Sequence, residues 1–329
     1  MEKIIRGLSN VLFDESSDNK LDSLNETIFI KNVLLSLSKI MKEEFDEYVF
    51  FILSSHDANV IPSSVNYEST KKKVLIFMSD ESGTLPDYLS PNYHAIFKAY
   101  MHGDPISSNN IFNFSLGCVR EVPEFPNIPM KSRKHSVFFS GNLNNHRVKL
   151  YSSLFSMFLP IRIPTLNRLS VIKKVLLNLK SNFDDRFPNS HIRFTNGFRQ
   201  GVNPVEYGKM IANSKIVLCP KGFYSAECFR HYEAMRAGCV IVSEKLPDTY
   251  FYKDSPIIQI DSWEEGLRKV SQLIDNPVEL DKLSRATRIW WDKKCSEYAT
   301  AKFINSSINK LKSQSLINHL SSQNTCYTV

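Results

Sequence analysis

The chain has no run of about 18 apolar residues, so nothing in it reads as a membrane-spanning helix. Its six cysteines (Cys118, Cys219, Cys228, Cys239, Cys295 and Cys326) include no Cys-x-x-Cys pair. In 329 residues that spacing gives neither a disulfide framework nor a zinc site, and reduced thiols of a cytosolic protein are expected. The opening MEKIIRGLSNVLFDESSD carries acids and lacks a long apolar core, so it does not read as a secretory signal. G-x-x-x-x-G-K-S/T is missing, which excludes a P-loop, and G-x-G-x-x-G is missing, which disfavours a standard dinucleotide fold. There is no Asp-x-Asp triplet for a metal-bound diphosphate; Asp184-Asp185 is a doublet that reads as solvated. Internal repeats and low-complexity tracts are absent.

What remains is 42 % hydrophobic and 23 % charged residues, the proportions of a soluble globular protein. Disordered, collagenous and coiled-coil chains are excluded. The length favours two domains, because single cores seldom grow beyond roughly 250–300 residues. Charge is uneven. Residues 1–130 hold 11 Lys+Arg against 18 Asp+Glu, whereas residues 131–329 hold 30 against 16. An acidic half joined to a basic half suggests different partners, the basic half facing an anion.

Strand-length apolar runs recur at 48–53, 74–78, 111–116, 136–140, 192–195, 216–219, 240–243 and 257–260. Several are continuous (VFFIL, VLIFM, IVLC), as for strands of a parallel sheet buried on both faces. Helical patterns lie between them, at 27–42 and 167–180. Alternation of the two predicts an α/β fold. From 276 to 312 one long helix is expected, opened by Asn276 as cap and Pro277 at the first position. Residues 313–329 read as a polar tail. Breakers near 121–133 and 159–165 place a domain boundary near residue 155.

The densest local signal runs from Asn203 to Pro247. A helix opens at Asn203-Pro204, followed by strand 215–219, loop 220–225, a helix from about 226 to 237, Gly238 as left-handed stop, and strand 239–243. The loop sits where a strand's carboxyl end feeds a helix amino end, the ligand-binding edge of open α/β sheets. Free N–H groups and the helix dipole there favour phosphate. Lys221 adds a cation, Gly222 permits close backbone approach, and Ser225 is expected to cap. Arg230 and Glu233, three apart, share a helix face. They suit a nucleoside diphosphate, Arg230 on phosphate and Glu233 on ribose hydroxyls. The alternative is an ordinary ion pair on a solvated helix.

The segment SKIVLCPKGFYSAECFRHYEAMRAGCVIVS resembles the signature of exostosin-type glycosyltransferases, matching at Cys219, Pro220, Lys221, Gly222, Arg230, Glu233, Ala234, Gly238 and Cys239. Cys228 stands where that pattern usually has Ser. Upstream, VFFSGNLNNHR matches a second element at Gly141 and Arg147. The resemblance implies a GT-B fold: two facing Rossmann-like domains with a C-terminal crossover helix. Residues 1–155 are then the acceptor-side domain, 156–312 the nucleotide-sugar domain with its closing helix, and 313–329 the tail. It implies an inverting, metal-independent transfer from a nucleotide-sugar, with a UDP-sugar expected, to a glycan or lipid-linked saccharide. No cofactor and no metal are called for.

In that reading Arg147, Lys221, Gly222, Ser225, Arg230 and Glu233 bind the nucleotide-sugar, with Arg199 a further candidate. The leaving diphosphate is stabilised by Lys221, Arg230 and the Ser225 loop. The proton acceptor is sought across the cleft in the acceptor-side domain. Asp80 and Glu81, after the strand KVLIFM, come first; His56-Asp57 and then His94 and His102 follow. Alternatives are a fucosyltransferase-like GT-B enzyme using a GDP-sugar, whose Tyr-x-x-Glu-Lys pattern is missing, and a non-catalytic nucleotide-sugar or glycan-binding relative. Trp290-Trp291 read as packing residues and Lys71–Lys73 as a solvated edge. The cluster Lys131–His135 reads as a solvated loop or a peripheral contact with an anionic membrane. No nucleic-acid motif is present, so nucleic acid is not an expected partner.

Overall fold

The computed structural model describes residues 2–5, 7–20, 23–102, 109–155, 169–197 and 200–325. The chain divides into two units, Met1–Ser115 with Ser296–Val329, and Leu116–Cys295.

The first unit is built on strands β1 (Glu2–Ile5), β2 (Leu8–Phe13), β3 (Tyr48–Ser54), β4 (Lys72–Met78), β5 (Ala95–Lys98) and β6 (Ile111–Asn113), with helix α1 (Thr27–Met41) between β2 and β3. The sheet order is β1-β2-β3-β4-β5-β6. β1 pairs antiparallel with β2, and all later pairs are parallel. The continuous runs of β3 and β4 are buried because both sheet faces are covered. Val49, Phe51, Leu53, Leu75 and Phe77 pack beneath Leu89 and Tyr93 on one face.

The other face is closed from far along the chain. Phe303 meets the rings of Phe97 and Phe112 edge-on at 6.4 and 6.5 Å. It lies on the last helix, which packs on α1, and Lys312 of that helix is hydrogen-bonded to Glu44. The links from β3 to β4 and from β4 to β5 hold short 3-10 turns, Ser63–Asn66 and Asp87–Asn92, in place of α-helices. The unit therefore depends on the returning helix for cover that a βαβ chain supplies locally.

The second unit contains β7 (His135–Asn142), α2 (Val148–Phe155), α3 (Leu169–Leu179), β8 (His191–Thr195), α4 (Pro204–Ala212), β9 (Ser214–Cys219), α5 (Phe229–Arg236), β10 (Val240–Glu244), β11 (Ile258–Ile260), α6 (Trp263–Ile274) and α7 (Pro277–Trp290). Its all-parallel sheet runs β11-β10-β9-β7-β8. The order reverses between β7 and β9, which makes that gap the topological switch point. Helix ends follow the local chemistry. Asn203 and Asn276 accept from Glu206 N and Glu279 N at 2.9 and 3.1 Å, each ahead of a proline at the first helical position. Gly238 takes φ +64, the left-handed stop after α5.

Several expectations change. The boundary lies at 115/116, not near 155: β7 pairs with β8 and β9, so its strand belongs to the second sheet. The long helix expected from 276 to 312 is two helices. A π-type turn at Trp291–Cys295 ends α7, and α8 (Glu297–Thr325) belongs to the first unit, not the second. It runs beyond 312, so the tail is helical through Thr325. Among the described residues the strand order of the first sheet follows the chain, whereas that of the second reverses at β7. The breaker at 159–165 and Arg199 lie outside the described residues. Reassigned by unit, the charge is 13 Lys+Arg against 17 Asp+Glu in the first and 28 against 17 in the second.

A candidate anion site at the switch point of the second sheet

β7 delivers Gly141 and then Arg147 to the carboxyl edge of the sheet; β9 delivers Cys219, the loop with Lys221 and Gly222, and α5 with Arg230. The two sources meet. A methyl group on Gly141 would lie 3.0 Å from Arg147 Nη1 and 3.0 Å from Arg230 Nη2. Both guanidinium groups also stand over the ring of Phe139. Glycine at 141 lets both guanidinium groups come closer than a Cβ would allow without shifting them.

Main-chain and phenol oxygens hold the two arginines. Arg230 donates from Nη2 to Ser140 O at 2.6 Å and from Nε to Tyr207 Oη at 3.1 Å. Arg147 donates to Lys221 O at 3.1 Å and to Asn142 O at 2.9 Å. Arg230 is 9 % exposed, and its Nη1 is buried without a hydrogen-bond partner among the described residues. Burial, with the Arg230 charge beside it, holds Arg147 down at about 10, so both remain cationic at neutral pH. A fixed pair of like charges with an unused donor is a preformed anion site.

Around it the loop is braced. Lys221 N donates to Glu244 Oε2 at 2.7 Å, and Gly222 N to Ser225 O at 3.0 Å. Asn144 caps the turn at Arg147 N and reaches Gly222 O at 3.3 Å. Lys173 donates to Asn142 Oδ1 at 2.6 Å, adding a third cation that the sequence reading missed. Ser225 does not cap α5; its Oγ accepts from Glu227 N at 3.1 Å. The helix begins at Phe229, and Cys228 is its cap, with His231 reaching back to Cys228 N. Glu233 is buried, so Arg230 and Glu233 are not a solvated pair, and no ion pair joins them. Burial raises the Glu233 carboxyl to about 7, against the opposing pull of Arg230 and Arg236.

The carboxyl edge of the first sheet is a second polar cluster. Asp80 and Lys98 are each 1 % exposed and form an ion pair at 3.0 Å. Asp80 Oδ1 also accepts from Ser82 N at 2.9 Å. Its Oδ2 faces Lys98 Nζ, so this carboxylate sits in a buried ion pair rather than open at the edge. Asn113, in register with Lys98, is buried with neither end of its amide hydrogen-bonded among the described residues. Glu26, at the amino end of α1, is buried; burial and the nearby Glu81 charge raise it to about 7. Sequence reading missed Glu26, Lys98 and Asn113.

The other candidates lie in different settings, and His56 and His102 stay exposed. His56 Nδ1 bonds Ser79 O at 3.0 Å and His102 Nε2 bonds Ser82 O at 2.7 Å. His94 opens β5 at the amino edge, against Tyr48. Arg133 is buried and donates to Ile128, Ser214 and Ala237 carbonyls, so the 131–135 cluster is structural at its centre. Asp184, expected in water, holds Ile192 N and Arg193. Lys73 donates to Ser64 O and Val65 O, so the edge at 71–73 is not wholly solvated. Trp290 donates to Phe251 O, and Trp291 is buried. Among the described residues no group of three or more His, Cys, Asp and Glu side chains could hold a metal ion, and no helix is long and apolar enough to cross a membrane.

No protein family pattern and no curated protein matches the chain. Among solved structures it is similar to TarM, with TM-score 0.47 and 11 % identity over 85 % of this chain; it spans 58 % of that one. It is similar to Anabaena HepE in complex with UDP and glucose, with TM-score 0.48 and 12 % identity over 89 % of this chain and 84 % of that one. It is also similar to AviGT4, a glycosyltransferase involved in avilamycin A biosynthesis, with TM-score 0.45 and 12 % identity over 92 % and 97 %. At these identities and scores the residues of the site, not the likeness, carry any functional reading.

Proposed function

We propose that the chain is a GT-B-type glycosyltransferase that binds the diphosphate of a nucleotide-sugar between Arg147 and Arg230. The observation that carries this reading is the unused, buried Nη1 of Arg230 beside a second guanidinium at the switch point. Two cations fixed by carbonyls suit an oxygen-rich dianion, and they stabilise the charge that grows as a diphosphate departs. Lys173, on Asn142 Oδ1, extends the same field. The likeness of these residues to the exostosin-type motif supports the sugar-transfer class, and a uridine donor is the one we propose.

In the transfer, an acceptor hydroxyl oxygen bonds to the anomeric carbon as the bond from that carbon to the diphosphate oxygen breaks. The hydroxyl proton passes to a carboxylate. Of the acids that the resemblance proposes for that role, Asp80 is held by Lys98 and Glu81 is partly buried. Glu233 is buried and hydrogen-bonded to Tyr207, whose Oη accepts from Arg230 Nε, so it bears on the guanidinium through that phenol.

The test is calorimetric titration of the chain with UDP, GDP, CDP and dTDP, each with and without EDTA. UDP is expected to bind without regard to EDTA, and Arg147→Ala and Arg230→Ala to abolish the heat. No heat from any nucleoside diphosphate would overturn the reading.

A further inference from the structure

The anion site makes no use of the sulfur atoms beside it. Cys228, cap of α5, places Sγ 3.2 Å from His231 Nδ1. Its own backbone N–H reaches the same nitrogen at 3.2 Å. The other ring nitrogen, Nε2, is fixed on Ser243 Oγ at 2.8 Å. Cys219, last residue of β9, turns its thiol to the Cys228 sulfur. Cys228 is partly exposed, whereas Cys219 and His231 are fully buried.

We propose that Cys228 is a hydroperoxide-sensitive nucleophilic thiol and that Cys219 is its resolving partner. An imidazole nitrogen in contact with the sulfur takes its proton, and the amino end of α5 favours the resulting thiolate. Hydrogen bonding from Cys219, with His231 and Arg230 nearby, outweighs burial and holds Cys228 below the ordinary thiol range. Burial and the neighbouring Cys228 push Cys219 the other way. The groups facing Cys228 from other elements are Arg147 after β7 and Tyr207 on α4; on its own helix it feels Glu233. Glu227, one residue earlier, acts on His231.

The chemistry closes. The Cys228 thiolate attacks the terminal oxygen of a hydroperoxide, the O–O bond breaks, and the departing alkoxide or hydroxide takes the proton held on His231. Sulfur is oxidised by two electrons to a sulfenic acid. The Cys219 sulfur then attacks it, the S–S bond forms, and hydroxide leaves to take the Cys219 proton as water. Two thiols and one hydroperoxide give a disulfide, an alcohol or water, and water.

This bond would tie both ends of loop 220–227, which offers Lys221 O to Arg147 and Gly222 O to Asn144. Loss of nucleotide affinity on oxidation follows, a consequence that rests on the proposed function. The thiol chemistry does not.

The reduced full chain is alkylated with iodoacetamide across pH and mapped by peptide mass; separately it is treated with hydrogen peroxide and mapped without reductant. Cys228 is expected to label about tenfold faster than the buried thiols at slightly acid pH, with a midpoint below the ordinary thiol range. Peroxide is expected to join the Cys219 and Cys228 peptides with loss of two hydrogens, and Cys219→Ser to stop at gain of one oxygen on Cys228. His231→Gln should move the labelling midpoint upward; if that variant does not fold, the wild-type curve decides. An ordinary midpoint for Cys228, or oxidation without a Cys219–Cys228 link, each overturns the proposal. A chain that forms the link but binds no nucleotide when reduced would instead retire the proposed function alone.

Discussion

Arg147 and Arg230 hold their guanidinium groups over one ring, that of Phe139, at 5.9 and 4.8 Å from its centroid. They come from different sheet connections and reach the same glycine. Like charges this close repel, and a ring face and backbone oxygens offset only part of that. Among the described residues neither has a carboxylate partner within ion-pair distance. A dianion placed between them would offset that repulsion, which is why the proposed function puts the diphosphate there.

Removing either arginine should therefore weaken nucleoside diphosphate binding more than it weakens the fold. A hydrogen bond to a charged group contributes about 1.5–3 kcal/mol, roughly a ten- to hundredfold change in Kd. Arg147→Ala and Arg230→Ala are each expected to lose that much for UDP by calorimetry. Arg230→Lys should recover little, because a lysine cannot keep both the Ser140 and Tyr207 bonds. A full recovery by lysine would show that charge alone, without the fork, suffices.

Gly141→Ala separates the site from the fold. The added methyl meets two guanidinium nitrogens at 3.0 Å, and both must retreat. The backbone there is not left-handed, so alanine brings no strain and lowers the entropy of the unfolded chain. Melting temperature should hold or rise slightly while UDP affinity falls about tenfold or more. Equal loss of both would mean that Gly141 serves packing instead.

Much of the second unit was legible. The continuous runs that became β7, β9 and β10, the Asn-Pro helix starts and Gly238 each announce their structure through local chemistry. Gly141, Arg147 and Arg230, picked out along the sequence, are brought together at one edge. The first unit was harder to read. β5 is four residues and ends in a buried lysine, Lys98, whose charge hides the strand until Asp80 is found beside it. The destination of α8 is a tertiary fact: nothing along Glu297–Thr325 says which sheet it covers. Ser225 was expected to cap α5 because serine caps are common; Cys228 does so through its tie to His231, a pairing that residue preference does not foresee.

Stability should fall as pH rises through the range where two buried carboxyls titrate. Glu26 and Glu233 are each raised by burial to about 7, against 4.5 for the unperturbed group. Below 4.5 the folded and unfolded chains are both protonated at these positions. Between 4.5 and 7 the folded chain holds more protons than the unfolded one, so folding weakens with rising pH. A displacement of this size corresponds to about 3 kcal/mol for each group. Glu26→Gln should flatten the decline and melt higher than wild type at about pH 8. Melting curves for the two chains that stay parallel from about pH 5 to 8 would show that Glu26 is not held in this way.

The two acids after β4 differ in their surroundings, and variants at each separate a structural role from a chemical one. Asp80→Asn leaves Lys98 buried beside a neutral group, and breaking a buried ion pair from one side costs about 3–5 kcal/mol. Replacing both partners, as Asp80→Asn with Lys98→Met, should recover much of that loss. Glu81 is only partly buried, so Glu81→Gln should leave the melting temperature near that of wild type. If Glu81 takes the acceptor proton, the same change should lower kcat by about 10²–10⁴-fold with UDP affinity intact. Thermal melts and turnover on the four chains decide the division. A stable Asp80→Asn with lost turnover would return the proton-accepting role to Asp80, and an active Glu81→Gln would take it from Glu81.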